Sequence, residues 1–100
     1  MMVTDDPYEL QSEICKVLSN PKRIQIIDLL KNGEMTVTDI AKALDISQSN
    51  ASQHLIQMKA KGVVKSRRDG RQIFYGIAVP EIPKACELVR NALKRMREKV

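Results

Sequence analysis

Between Ser47 and Ile56 the chain sets Gln48, Ser49, Asn50, Ser52, Gln53 and His54 close together, with no carboxylate and no fixed positive charge among them. Gln and Asn each present a donor beside an acceptor, a pairing that matches the edge of adenine, and Ser serves either kind of base edge. Small side chains at Ser49, Ala51 and Ser52 would let such a segment sit deep in a groove. An ordinary solvated helix face more often carries Lys and Glu, so the residue types argue for a partner. Downstream, Arg67, Arg68 and Arg71 surround Asp69-Gly70. The planar fork of arginine takes phosphate oxygens two at a time. If Asp69-Gly70 is a hairpin tip, Arg68 and Arg71 should lie opposite each other, which is destabilising without an anion to meet. The competing use of these charges is to block strand-to-strand association at a sheet edge. Lys59 and Lys61 lie between the two clusters and extend the cationic rim.

These side chains need elements to position them. Pro7 to Leu18 reads as a first helix, with Tyr8, Ile14, Val17 and Leu18 roughly on one side. Asn20 then caps a second helix that starts at Pro21, where the missing N–H is no loss. Ile24, Ile26, Ile27, Leu29 and Leu30 make that helix apolar over most of its surface, and Asn32-Gly33 stops it. Met35-Thr36 reads as a short extended link. Thr36-Val37-Thr38-Asp39 resembles a capping box opening a third helix, with Ile40, Ala41 and Leu44 inward. After a tight turn at Asp45-Ile46, Ser47 caps a fourth helix that runs to about Lys61, with Gly62 as its stop. Its inward side is expected to hold Ala51, Leu55, Ile56 and Met58. Val63 to Arg68 and Arg71 to Ile77 are strand-like runs joined at Asp69-Gly70. Glu81 to about Arg97 is a last helix whose Ile82, Ala85, Val89, Ala92 and Met96 repeat by threes and fours, the spacing of a coiled-coil seam.

The fold class expected is mainly α with a small β-hairpin, in the order α-α-α-α-β-β-α. A short third helix, a tight turn and a fourth helix opening on small polar residues form a helix-turn-helix, whose second helix presents its N-terminal residues to the major groove.

Composition bounds the function. The 100 residues make one domain, expected to span 1–100. Lys and Arg number 17 against 12 acids, a net charge of +5 that favours an anionic partner. With two Tyr, one Phe and no Trp, the core is expected to be aliphatic. A core this small favours pairing with a second copy. No apolar run is long enough to span a bilayer, and the acidic start lacks the pattern of a leader, so no membrane partner and a cytoplasmic location are expected. A catalytic role is not expected: there is no Gly-rich phosphate loop, no readable nucleophile–base pair, and a single His.

Cys15 and Cys86 are the only cysteines, too few for a disulfide framework. Three readings stand: small buried hydrophobes, thiols that respond to oxidation, or a soft-metal pair shared across subunits.

Five segments in order are similar to the ArsR family of prokaryotic winged helix-turn-helix regulators, over about residues 10–95. They are Ser19-Asn20-Pro21-Lys22-Arg23, Val37-Thr38-Asp39-Ile40-Ala41, Ile46-Ser47-Gln48-Ser49 through Ser52-Gln53-His54-Leu55, Lys61-Gly62-Val63-Val64, and Arg67-Arg68-Asp69-Gly70-Arg71. The resemblance implies a homodimer built from the first and last helices, a fourth helix that reads the major groove, and a hairpin wing on the flanking backbone or minor groove. It places His54 near DNA or in a structural role. The chain departs from the family's metal sensors. Where arsenite- and cadmium-sensing members carry a Cys-x-Cys pair there are Thr36 and Thr38, hard and weak ligands for a soft metal. Where zinc-sensing members place His along the last helix there are Glu81, Glu87 and Glu98 and no His. No metal and no cofactor is therefore expected.

The reading is a homodimeric repressor of double-stranded DNA with an inverted-repeat site, open to a thiol-linked signal. Gln48, Ser49, Asn50, Ser52, Gln53 and His54 face the bases, and Lys59, Lys61, Arg67, Arg68 and Arg71 the phosphates. Ile82, Ala85, Val89, Ala92 and Met96, supported by Ile14, Val17 and Leu18, form the dimer interface. The alternative is a winged-helix protein–protein interaction module in a larger assembly, which would more often carry apolar or charged anchors on the fourth helix.

Overall fold

The computed structural model describes residues 5–98. The expected domain, 1–100, runs past these at both ends. Five helices and three strands follow in the order α1 (Pro7–Val17), α2 (Pro21–Leu30), β1 (Met35–Thr36), α3 (Val37–Leu44), α4 (Gln48–Ala60), β2 (Val64–Asp69), β3 (Gln72–Ile77) and α5 (Glu81–Glu98).

The helix starts are set by local chemistry. Asn20 Oδ1 accepts from the backbone N–H groups of Lys22 at 2.9 Å and Arg23 at 3.3 Å, two donors that the first turn of α2 leaves without partners. Thr36 Oγ1 accepts from the Asp39 N–H at 3.2 Å, and Ser47 Oγ from the Asn50 N–H at 3.0 Å. Asp6, which sequence reasoning did not single out, caps α1 through the Tyr8 N–H at 2.9 Å. The turn between α3 and α4 needs a left-handed residue, and Asp45 supplies it at φ 55°. Asp visits that region more readily than most L-residues.

Two corrections concern the strands and one the core. The Met35-Thr36 link is a strand: it pairs antiparallel with β3, Met35 opposite Tyr75 and Thr36 opposite Phe74, so the sheet has three strands in the order β1-β3-β2. The hairpin turns on Gly70-Arg71 rather than Asp69-Gly70, because Asp69 pairs with Gln72 and Arg68 with Ile73. Gly70 takes φ +64° at the first turn position, where a type II′ hairpin calls for glycine. Arg71 therefore sits in the turn and does not face Arg68, which relieves the like-charge conflict. Lastly, the core is aliphatic with one aromatic exception, Tyr75 of β3.

That core gathers Val17 of α1, Ile26, Ile27 and Leu30 of α2, Ile40, Ala41 and Leu44 of α3, Ala51, Leu55 and Met58 of α4, and Val63 and Val64. The α2 helix lies at the centre, touching α3, α4, α5 and β3. Among the described residues, no helix is long and apolar enough to cross a membrane.

Candidate nucleic-acid interface and pairing face

The α4 helix turns one side into the core and the other out. Ala51, Leu55 and Met58 are buried, whereas Gln48, Ser49, Asn50 and Gln53 are exposed and Ser52 is half-buried. Ile56, expected inward, instead points out and is 59% exposed. It lies seven residues after Ser49, two helical turns on, which places both on the same outer face. Gln48 is not loose: its Nε2 donates to Thr38 Oγ1 at 3.1 Å, tying the first turn of α4 to α3. Thr36 and Thr38 thus have structural work, one capping α3 and the other seating Gln48.

His54 is half-buried on the flank of α4. Arg23 Nε donates to His54 Nδ1 at 3.1 Å, while Arg23 Nη1 donates to the Val17 carbonyl at 3.2 Å. Because Nδ1 accepts, the neutral ring carries its proton on Nε2. Arg23 therefore ties the end of α1 to the outward-facing helix. Burial, helped by the charge of Arg23, holds the His54 pKa below the ordinary histidine value. The unfolded chain then takes up a proton first as the solution is acidified. Stability should be complete above the ordinary histidine pKa and fall as pH drops from there toward the lower folded value. Urea midpoints measured across that window should decline in the wild type and stay flatter in His54→Gln. Parallel profiles for the two would remove His54 from the acid response.

The cations divide into two groups. Lys59 Nζ donates to Ser66 Oγ at 2.8 Å, joining α4 to β2. Lys61 pairs with Glu13 of α1 at 3.4 Å. Arg67 Nε meets Glu34 Oε1 at 2.8 Å and its guanidinium lies 4.6 Å from the centre of the Phe74 ring, the cross-strand neighbour. Gly76 leaves room for the Glu34 side chain: a Cβ there would stand 3.2 Å from Glu34 Cγ, so Glu34 would have to give by a few tenths of an ångström. The remaining two, Arg68 and Arg71, stand exposed at the hairpin tip, with no side-chain partner among the described residues. Of the five expected phosphate contacts, three are thus already engaged within the chain.

A second surface lies on α5, where no residue is buried. Leu88 is 69% and Leu93 50% exposed, and Ala85, Val89 and Met96 are also exposed, with Ala92 half-buried. Sequence reasoning missed Leu88 and Leu93, which sit beside the predicted seam at helical spacing and widen it. Ile82, expected in the seam, packs with Cys86 against the chain's own core. Ile14 and Leu18 are half-buried against that core as well. Val17 is a correction: at 7% exposure it is a core residue of one chain and has little left to offer a partner. On the other side of α5, Arg90 Nη2 reaches Asp28 Oδ1 at 2.9 Å, fixing α5 to α2, and Lys31 Nζ meets the same oxygen at 2.9 Å from the end of α2 itself. The hydrogen bond from Lys31 overcomes the effect of burial and, with the charge of Arg90, holds the Asp28 carboxyl below its usual range. Cys15 is exposed and Cys86 half-buried, and burial pushes the Cys86 thiol up, which disfavours the reactive thiolate.

Residues 20–66, from the α2 cap to the middle of β2, match the model of the family described as bacterial regulatory protein, arsR family. The chain is 34% identical over 96 residues, 95% of its length and 84% of the relative's, to the HTH-type transcriptional regulator Rv0081 of Mycobacterium tuberculosis. It superposes on the crystal structure of Rv0081 with a TM-score of 0.83 at 33% identity, covering 96% of this chain and 97% of that one. A solution structure of the homodimeric winged helix-turn-helix DNA-binding domain Mb0332 of Mycobacterium bovis gives a TM-score of 0.83 at 31% identity, covering 100% and 96% of the two chains. The transcriptional repressor SdpR of Bacillus subtilis is 39% identical over 66 residues, 66% of this chain and 73% of that one. The segment matched holds the helix-turn-helix, and the relatives extend the likeness through α5: the chain belongs to the ArsR family of bacterial regulatory proteins.

Proposed function

We propose that the chain is a sequence-specific transcriptional regulator, a homodimeric repressor that binds an inverted repeat in double-stranded DNA. One observation carries the reading: an outward α4 face of uncharged hydrogen-bonding residues stands beside a hairpin whose tip holds two arginines without a side-chain partner among the described residues. Gln48, Ser49, Asn50, Ser52 and Gln53 would meet base edges, with His54 at the flank. Arg68 and Arg71 would grip phosphate, joined by Lys59, Lys61 and Arg67 wherever DNA displaces their present partners. The likeness to a homodimeric DNA-binding domain and to a named repressor supports the same reading.

Two copies would pair through α5, with Ala85, Leu88, Val89, Ala92, Leu93 and Met96 covering one another and α1 at the margin. Pairing sets the two α4 helices at a fixed separation, so half-site centres should lie about 10 base pairs apart, or a multiple of that. The whole chain would then act as one DNA-binding domain with pairing helices at its ends. It would work in the cytoplasm and repress by occupying a promoter, with no catalytic step assigned. If a thiol signal acts on it, exposed Cys15 is the accessible partner.

The test is a duplex mobility shift against DNA selected from a random library. Wild-type protein should prefer the selected sequence over a scrambled one. Gln53→Ala should lose roughly 1–3 kcal/mol of that preference, the worth of one well-made base contact. Equal weakening on both duplexes would assign Gln53 to general affinity instead, and no binding to either in dilute salt would end the DNA reading.

A further inference from the structure

Ile56 is the one large apolar side chain on the outward face of α4 among the described residues. Ser49, Gln53, Ile56 and Ala60 follow one another by four, three and four, a single helical row opposite the buried row of Ala51, Leu55 and Met58. The row begins at the neutral, hydrogen-bonding end of α4 and runs toward β2, where Lys59 is held to Ser66. Ile56 thus stands between the residues placed against base edges and the cationic hairpin. It is separate from the apolar patch of α5, which lies on another helix. Leaving 59% of an isoleucine in water forgoes the gain its burial would bring. The surroundings specify what kind of surface would cover it. Neutral hydrogen-bond formers on one side and arginines on the other suit a duplex groove. Along the major groove the apolar group that base edges present is the C5-methyl of thymine.

We propose that Ile56 selects a thymine in each half-site by packing its branched chain on the C5-methyl group, one helical turn beyond the Gln53 contact. The inference rests on the DNA-binding reading above and adds a position of readout that hydrogen bonding alone does not supply. A lysine or arginine at this point of the row would grip phosphate without regard to sequence, so the isoleucine trades general affinity for selectivity.

The experiment starts from duplexes selected by the wild-type protein from a random library. Each thymine of a half-site is replaced in turn by deoxyuridine, which removes only the methyl group. One substitution should weaken wild-type binding about fourfold, the worth of burying one methyl-sized group. Ile56→Ala should bind the thymine and uracil duplexes alike, and its own selection should no longer return that thymine. Ile56→Val, which keeps the branched end, should retain most of the discrimination. Since the side chain is exposed, both variants should fold as the wild type does, which circular dichroism checks. Undiminished uracil sensitivity in Ile56→Ala, or no uracil penalty at any position, overturns the proposal while leaving sequence-specific binding intact. Failure of the wild-type chain to select any sequence removes this inference together with the reading beneath it.

Discussion

Leu88→Glu combined with Leu93→Glu is expected to yield a folded monomer that has lost at least about a hundredfold in affinity for its operator. Both side chains are half or more exposed in a single chain and neither belongs to the buried core, so carboxylates there leave the core of one copy intact. In the pair, they would be covered within the widened apolar seam, where an unpaired charge loses its hydration without gaining a partner. Joining two half-site contacts in one particle raises the strength of binding by about two to four powers of ten over a single contact. Splitting the pair removes that gain while leaving each α4 unaltered. Sedimentation velocity should show one species of single-chain mass, and circular dichroism an unchanged helix content. A stable dimer in the double variant would mean that the chains pair through some other face. A monomer that still holds the full operator tightly would remove pairing from the mechanism.

Much of this architecture can be read without coordinates because the signals are local. Asn20, Thr36 and Ser47 each accept from a backbone N–H two or three residues away, so their roles follow from neighbours in sequence. The buried stripes of α2 and α3 follow likewise from helical spacing. Features that depend on distant partners were harder to read. Two residues such as Met35-Thr36 have too little length to show alternation, and their strand exists only because β3 lies alongside. The hairpin tip moved by one residue because glycine serves at either turn position, and the pairing of Asp69 with Gln72 decides which. Val17 differs for a related reason: beside Ile14 and Leu18 it fits either the core or a pairing face, and only the position of the neighbouring elements settles which. Ile56 is instead a matter of spacing, since the stripe of Ala51, Leu55 and Met58 leaves it on the far side of the helix. The site shows the same limit. Arg67, Lys59 and Lys61 carry the right charge, yet which cation finds a partner depends on Glu34, Ser66 and Glu13 being brought to them by the fold.

That division of the cations leads to a sharp expectation for the wing. Arg68→Ala with Arg71→Ala should flatten the salt dependence of DNA binding far more than Arg67→Ala. Each phosphate neutralised releases counterions and contributes about 0.9 to the slope of log affinity against log salt. Two free arginines on each of two protomers would therefore account for a slope of roughly 3.6. Between 50 and 200 mM salt, that part of the slope alone costs the wild type about a hundredfold, so the gap between wild type and double variant should narrow by about this factor. Arg67 differs because it must first leave Glu34 and the face of Phe74 before it can meet DNA. Its present ion pair is partly exposed and therefore weak, but it already neutralises the charge, and opening it frees a carboxylate near the DNA. The double variant should also weaken selected and scrambled duplexes by similar factors, since phosphates carry no sequence. Neither side chain has a partner within the described residues, so thermal stability should stay close to that of the wild type. Equal slopes for the double variant and the wild type would take the hairpin tip off the DNA. A large drop on the selected duplex alone would make these arginines readers of bases instead of backbone.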